Sequence, residues 1–226
     1  MTDHNDPAAL EQLLADQYKN FPPIELPSEF AELFQTNTLM LLIKLARYKF
    51  AARMLKKSDD VLEVGSGSGL GSQFLAQHSA HVTGIEIKAH DHSAALAANR
   101  RDNVTFLHQS FFDYPQERRH DAVISLDVLE HLYPEDGARF VAQMARHTKP
   151  EGFCLVGTPS IHSFPHQSAY SKAGHVKCYD QAELVELMDR HFARTFAFSM
   201  NDEIVHTGHP KMAWYYFVLG LIPKVA

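Results

Sequence analysis

Apolar residues and glycines follow one another in an ordered way in the first third of the chain, at residues 61–71. Residues 61–64 are mostly apolar and stand between two aspartates and a glycine, which is typical of a short strand buried on both faces of a sheet. Gly65, Gly67 and Gly69 then permit a sharp turn and let a ligand approach the backbone. Apolar residues at helical spacing follow Gly71. The pattern predicts a strand, a turn and a helix whose first N–H groups point toward a ligand.

Helical patterns occupy the chain before this strand. Apolar residues recur every three or four positions in three stretches, residues 7–19, 28–34 and 37–55. We expect residues 1–57 to form a helical cap and residues 58–226 to form the ligand-binding core of a single domain. The cap either covers the mouth of a ligand site or packs against the edge of the sheet, and the sequence leaves both roles open.

Strand and helix patterns alternate through the rest of the chain. Strands are predicted at residues 81–86, 103–107, 121–127 and 153–157, and helices at residues 93–100, 134–147 and 181–191. Residues 194–200 and 213–219 are suited to an antiparallel pair at the end of the sheet. The polar residues 158–179 and 201–210 are expected to be loops. This alternation is typical of an α/β fold.

Composition and charge narrow the choice of function. The chain has 226 residues and a formal net charge of −6 without a lysine- or arginine-rich cluster, so a nucleic-acid partner is disfavoured. Cys154 and Cys178 lack the spacing of a metal or redox site, which fits a reducing, cytoplasmic location. The N-terminus lacks the pattern of a signal peptide, and no apolar run is long enough to span a membrane.

The spacing between the acidic residue and the glycines distinguishes between two classes of ligand. A dinucleotide fingerprint would place its third glycine at Leu70. The pattern Glu63-x-Gly65-x-Gly67-x-Gly69 instead resembles motif I of the class I S-adenosylmethionine (SAM)-dependent methyltransferases. In that family the acidic residue engages the ammonium of the methionine moiety, and the glycines pack beneath the ligand. The resemblance implies a Rossmann-like three-layer fold with a mostly parallel seven-stranded sheet, an antiparallel last strand and N-terminal helices.

Three later segments resemble the same family in the same order. Glu86 lies 21 residues after Gly65, a spacing at which a carboxylate can accept both ribose hydroxyls of either NAD or SAM. The block from Asp121 to His131 resembles the family's "fDvvis…vleHl" segment. A Lys-Pro-Gly turn follows, with Glu151 in place of its first glycine. A single motif can occur by chance, but three further segments in the correct order would not accompany it. We therefore predict that the chain binds SAM.

The position that reads the adenine departs from the family pattern. Ser110 stands where an acidic residue often binds the adenine amine, and Asp113 follows three residues later. Phe111 can contribute main-chain groups or its ring to the pocket, or can belong to the core. The cofactor-binding residues that the resemblance implies are Glu63, Gly65, Ser66, Gly67, Gly69, Glu86, Ile87, Ser110, Phe111, Asp127 and Val128.

Histidines near the end of the fourth strand are the candidates for chemistry. Methyl transfer from a sulfonium mainly requires an oriented acceptor, but a hydroxyl acceptor benefits from a base. His131 is the best-placed candidate, and His175 is the second. A different interpretation rests on Asp127-x-x-Glu130-His131, which resembles the Glu-x-x-Glu-His segment of ubiquinone-pathway O-methyltransferases and small-RNA 2′-O-methyltransferases. By that resemblance Glu130, His131 and His175 would bind a divalent metal ion.

The sequence therefore predicts a SAM-dependent methyltransferase, most consistent with O-methylation of a small-molecule substrate. A hydroxyl of a sugar or glycan precursor is the preferred acceptor, and a quinone- or phenol-type acceptor is the alternative. Residues 158–179 are expected to form one wall of the acceptor pocket, because they leave the fifth strand at the ligand-binding edge of the sheet. Two functions from other classes are retained as rivals: an NAD-dependent oxidoreductase and a SAM-binding partner protein without catalytic activity.

Overall fold

The computed structural model describes residues 6–21 and 23–224. Three helices come first: α1 (Pro7–Tyr18), α2 (Ser28–Thr36) and α3 (Thr38–Ala52). The side-chain oxygen of Asp6 caps α1, and that of Asn37 caps α3, by accepting a hydrogen bond from a backbone N–H of the first turn. The three helices predicted before the first strand are therefore present, with ends close to those expected.

The strands in the described part of the chain form one sheet. They are β1 (Asp60–Val64), β2 (His81–Glu86), β3 (Val104–His108), β4 (His120–Leu126), β5 (Thr148–Pro159), β6 (Phe192–Asn201), β7 (Ile204–His206) and β8 (Tyr215–Pro223). Their order is β3-β2-β1-β4-β5-β8-β6-β7. The pairs among β1 to β5 are parallel, and the pairs β5–β8, β8–β6 and β6–β7 are antiparallel. The predicted Rossmann-like sheet with an antiparallel C-terminal part is confirmed.

Helices cover both faces of this sheet. The remaining ones are α4 (Leu70–Leu75), α5 (Ala89–Ala98), α6 (Pro134–His147), α7 (Ala169–Gly174) and α8 (Gln181–Asp189). Buried side chains of α3, α4 and α5 pack with the sheet in one hydrophobic cluster, and those of α6 and α8 pack with it in a second. Ala46 and Ala51 bring α3 into the first cluster, whereas α1 buries no residue. The molecule thus has the expected three layers.

The sheet contains one strand more than the seven expected. Residues 201–210, which we predicted to be a loop, contain β7, and β7 pairs with the end of β6. The chain reverses at Asp202, whose φ of +49° lies in the left-handed region that aspartate tolerates better than most residues. β7 has three residues, so its alternation is too short to indicate a strand.

The topology brings the ligand-binding candidates to one edge. The carboxyl ends of the parallel strands β1, β2, β4 and β5 lie together, which is where open α/β sheets bind ligands. The connection after β5 also begins there, and it contains a 3₁₀ helix (Ile161–His166) followed by α7. Among the helices of the described residues, none has the length and apolar character needed to cross a membrane.

Candidate active site

The glycine turn after β1 has the conformation that its sequence predicts. Gly65, Gly67 and Gly69 have φ values of +81°, +52° and +80°, which L-residues with side chains rarely adopt. A Cβ on Gly65 would lie 2.2 Å from Val128 Cγ2, and one on Gly69 would lie 2.6 Å from Phe106 Cζ. A Cβ on Gly67 would meet no atom within 4 Å. The outer glycines therefore allow tight packing, and the central one faces open space that a ligand can occupy.

Glu63 is a buried carboxyl group beneath this turn. Its side chain is 1% exposed, and burial raises its pKa to about 7, with a smaller contribution from the charge of Glu86. One carboxyl oxygen accepts a hydrogen bond from the Ser72 hydroxyl, while Oε1 has no hydrogen-bond partner among the described residues. An unpartnered buried carboxyl oxygen is a suitable acceptor for the ammonium group of a ligand.

Glu86 lies at the end of β2, next to the same turn. Its two carboxyl oxygens accept hydrogen bonds from the N–H groups of Gly67 (2.9 Å) and Lys88 (2.8 Å). Each oxygen keeps a lone pair, so the carboxylate can still accept from two ribose hydroxyls. The neighbouring Ile87 is 66% exposed, which leaves an apolar surface that an adenine ring could cover.

The residues predicted to surround the adenine differ in how far they are exposed to solvent. The Ser110 hydroxyl accepts a hydrogen bond from the Phe112 N–H at 3.2 Å, and Asp113 is exposed. The Phe111 side chain is buried against α6, with its ring 5.3 Å from that of Phe140 in an edge-on arrangement. Of the alternatives that the sequence left open for Phe111, these contacts favour a place for its ring in the hydrophobic core. A contact from its main chain remains a prediction.

Asp127 and Val128 follow β4 at the carboxyl edge. Asp127 has a φ of +58°, which is strained for a residue with a side chain, and its N–H donates to the Gly157 carbonyl at 3.0 Å. Its carboxylate is paired with the guanidinium of Arg47, which comes from α3 and lies over the Tyr215 ring at 4.1 Å from the ring centroid. The ion pair fixes a strained acidic residue at the point where the predicted cofactor and acceptor meet.

Glu130 is the second buried carboxyl group of the site. Its side chain is 1% exposed, and burial raises its pKa to about 8, with Asp127 adding to the effect. One carboxyl oxygen accepts from the Thr158 hydroxyl at 2.9 Å, and its main-chain carbonyl accepts from the N–H groups of Val176 and Lys177. Glu130 thus ties the end of β4 to the connection that follows β5.

His131 and His175 lie together beside Glu130. His131 Nδ1 is 2.8 Å from the Gly174 carbonyl oxygen. Because a carbonyl only accepts, Nδ1 carries the hydrogen and Nε2 is left free. The two imidazole rings are 5.1 Å apart, and burial, followed by the effect of His131, lowers the pKa of His175. One ligand atom from each of Glu130, His131 and His175 lies within 4.8 Å of the others, so the structure brings together the three residues predicted to bind a metal.

Several residues of this site were missed in the sequence. Tyr48 lies over the glycine turn, since a Cβ on Gly71 would be 2.0 Å from Tyr48 Cζ, and its pKa is raised well above the usual value by burial and by Glu63. Arg47 is the residue before it. The Gln109 amide nitrogen is buried without a hydrogen-bond partner among the described residues. The sequence contains no clear signal for them, since Arg47 and Tyr48 stand in a helix that also contains Lys44 and Lys49.

Comparison with known proteins finds similar methyltransferases. A methyltransferase domain matches residues 62–156. A ubiquinone biosynthesis O-methyltransferase of Rickettsia typhi is 27% identical over 132 residues, which cover 58% of this chain and 52% of that protein. A probable S-adenosylmethionine-dependent methyltransferase of Mycolicibacterium smegmatis is 31% identical over 132 residues, covering 58% of this chain and 50% of that protein. The chain thus spans about half the length of these curated relatives.

Solved structures share the fold over nearly the whole chain. The complex of DhpI with S-adenosylhomocysteine (SAH) has a TM-score of 0.63 at 16% identity, covering 96% of this chain and 95% of that one. The N-methyltransferase NodS of Bradyrhizobium japonicum has a TM-score of 0.61 at 15% identity, covering 84% of this chain and 99% of that one. The matched domain, the glycine motif and the order of the strands together indicate a class I SAM-dependent methyltransferase.

Proposed function

We propose that this protein transfers a methyl group from SAM to a hydroxyl group of a small polar acceptor. The observation that carries the proposal is the free Nε2 of His131, next to Asp127 and Glu130 at the carboxyl end of β4. A sugar or glycan-precursor hydroxyl suits the polar connection after β5. A phenol- or quinone-type hydroxyl is the second candidate, because several curated relatives are named ubiquinone biosynthesis O-methyltransferases.

The contacts of the site support one placement of the cofactor. The unpartnered Oε1 of Glu63 would accept the ammonium group of SAM, and the guanidinium of Arg47 would attract its carboxylate. Glu86 would accept the ribose hydroxyls, and Ile87 would cover the adenine. The remaining predicted contacts come from Gly65, Ser66, Gly67, Gly69, Ser110, the main chain of Phe111, Asp127 and Val128.

The proposed reaction has a simple balance of bonds. The acceptor oxygen attacks the methyl carbon, the S–CH₃ bond breaks as the O–CH₃ bond forms, and SAM becomes SAH. His131 Nε2 takes the hydroxyl proton and passes it to solvent, because its side chain is exposed. The main contribution of the protein is to hold acceptor and methyl group in line.

A divalent metal is an alternative to the His131 base, because the Nε2 lone pair of His131 cannot both take a proton and bind a metal ion. Glu130, His131 and His175 offer one carboxylate and two imidazoles within 4.8 Å, a ligand set that suits Mg²⁺, Mn²⁺ or Zn²⁺. The free Nε2 of His131 and the unpartnered Nδ1 of His175 fit such a role. A bound metal would act as a Lewis acid that lowers the pKa of an acceptor hydroxyl.

Formation of SAH in the presence of candidate acceptors tests the main proposal. We expect turnover with a hydroxyl acceptor of the sugar class or of the phenol class, and titration calorimetry should detect binding of SAM but not of NAD⁺. His131→Gln should lower kcat by about 10²-fold or more while the Kd for SAM changes little. Binding of NAD⁺ in preference to SAM would overturn the proposal. Binding of SAM without SAH formation from either acceptor class would favour the non-catalytic alternative.

The metal is tested separately from the transfer. The metal alternative requires that elemental analysis of the purified protein finds about one divalent ion per chain and that Glu130→Gln and His175→Gln lose it. Activity that persists after exhaustive chelation, in protein that contains no metal, would leave His131 as a base and remove the metal from the mechanism.

A further inference from the structure

A cavity lies next to the connection that follows β5. It has a volume of about 200 Å³ and opens between the 3₁₀ helix Ile161–His166 and residues 211–214. Its walls include His162, His166, Lys211 and Trp214. The volume is below the range for pockets that hold a whole drug-sized ligand, so the cavity is suited to a single ring. The proposed methyl transfer uses none of these four side chains.

Trp214 is presented to this cavity from a fixed backbone. Its carbonyl accepts a hydrogen bond from the Ser160 N–H at 2.9 Å, and its N–H donates to the Met200 carbonyl at 3.2 Å. Its side chain is nevertheless 53% exposed, and the His166 ring lies 5.7 Å from the indole ring at an angle of 48°. A half-exposed indole on a rigid support is a stacking surface for a flat or ring-shaped ligand.

The charged groups of the cavity favour an anion. Lys211 is exposed and forms no ion pair with any of the residues that the structure describes. The nearest carboxylate to His162 is that of Asp180, with 3.5 Å between Nε2 and Oδ2. That carboxylate already accepts the Ala182 N–H as the cap of α8. Because Lys211 forms no ion pair with the described residues, its ammonium group is available to a ligand.

The position of the cavity relates it to the acceptor. The N–H of Asp127 bonds to Gly157 of β5, and β5 pairs with β8, which begins directly after Trp214. Two steps between neighbouring strands correspond to roughly 10 Å. A molecule of two-ring length could therefore reach from the methyl-transfer point into the cavity.

We propose that His166, Lys211 and Trp214 form a distal subsite that holds an anionic ring of the methyl acceptor. The indole stacks on the ring, and Lys211 pairs with its negative group. This inference rests on the proposed function, which it narrows to acceptors that carry a carboxylate or phosphate roughly 10 Å from the methylated hydroxyl. Sugar acids and aromatic acids share this chemistry, and the experiment separates them.

The fluorescence of Trp214 provides a direct test, since the chain contains one tryptophan. Galacturonate represents the sugar acids, and benzoate represents the aromatic acids. Galactose and benzyl alcohol are their neutral counterparts. We expect one anionic probe to quench the emission in a saturable way and its neutral counterpart to bind about fivefold more weakly. Lys211→Gln should lower the affinity for the anionic probe about fivefold, which is the effect of losing one exposed charge pair. Lys56→Gln, at an exposed lysine before β1, should not change the affinity.

Three results would overturn the subsite. They are equal binding of the neutral counterpart, an unchanged affinity in Lys211→Gln, and no saturable response to either anionic probe. SAM binding and SAH formation, measured on the same protein, keep the two proposals apart. If the protein shows neither SAM binding nor SAH formation but an anionic probe still quenches the Trp214 emission, the methyl transfer alone is refuted. Normal activity in a protein without the probe response would refute the subsite alone.

Discussion

Replacement of Glu63 by glutamine should change how the stability of the protein depends on pH. The carboxyl group is 1% exposed, and burial raises its pKa from 4.5 to about 7. Glutamine keeps the shape of the side chain and an oxygen that can accept from the Ser72 hydroxyl, but it has no proton to lose. The comparison of wild type with Glu63→Gln therefore isolates the titration of this one group.

The sign and size of the effect follow from the two pKa values. Between pH 4.5 and 7 the unfolded chain has released the proton of Glu63, while the folded protein still holds it. The contribution of the protonated group to stability is complete below pH 4.5 and is lost as the pH rises through the folded value of about 7. A shift of this size corresponds to about 3 kcal/mol. The free energy of unfolding of wild type should fall by about this amount relative to Glu63→Gln.

Urea unfolding, followed by circular dichroism on both sides of this pH range, measures the difference. Glu117→Gln, at an exposed position, controls for the substitution itself. SAM should reduce the loss of stability in wild type at high pH, because its ammonium group would stabilise the ionised carboxylate. A stability difference between wild type and Glu63→Gln that is the same at both pH values would refute the reasoning.

Three further substitutions test the placement of the cofactor by calorimetry with SAH. Gly67→Val should abolish detectable binding, because valine is strained at a φ of +52° and its side chain would fill the open space above the turn; undiminished affinity would refute the placement. Glu86→Ala should weaken binding by about 1.5–3 kcal/mol through the loss of charged hydrogen bonds, which an unchanged Kd would contradict. Arg47→Met should weaken SAH but not adenosine, since the proposed contact is with the carboxylate; equal losses for both ligands would place Arg47 elsewhere.

The central part of the fold could be predicted because its signals are local. The limits predicted for β2 and for α6 agree with the structure, since each has a continuous apolar pattern with clear ends. The glycine turn and Glu86 could also be predicted, because a tight turn and a fixed spacing leave a mark in the sequence. The structure places the N–H of Gly67 on the Glu86 carboxylate, so the two predicted elements are in direct contact.

The remaining features depend on contacts that are distant in sequence. Arg47 and Asp127 are 80 residues apart, and neither residue indicates its partner. Phe111 could equally have been pocket or core, because the direction of its ring depends on where α6 packs. The orientation of His131 depends on the Gly174 carbonyl at the end of α7, 43 residues later in the chain. The spacing of apolar and polar residues along the chain does not specify these long-range contacts.

Helix α3 has a larger role in the site than the division into cap and core suggests. Arg47 and Tyr48 are adjacent in its sequence, yet they reach two carboxyl groups, Asp127 at the end of β4 and Glu63 at the end of β1. The two strands are neighbours in the sheet, so one helical turn can cover both of their ends. Because both side chains are largely buried, a displacement of α3 would leave buried charged and polar groups without partners, at a cost of about 1–3 kcal/mol or more for each. The position of α3 and the geometry of the cofactor site are therefore coupled, and the functional unit begins at this helix rather than at β1.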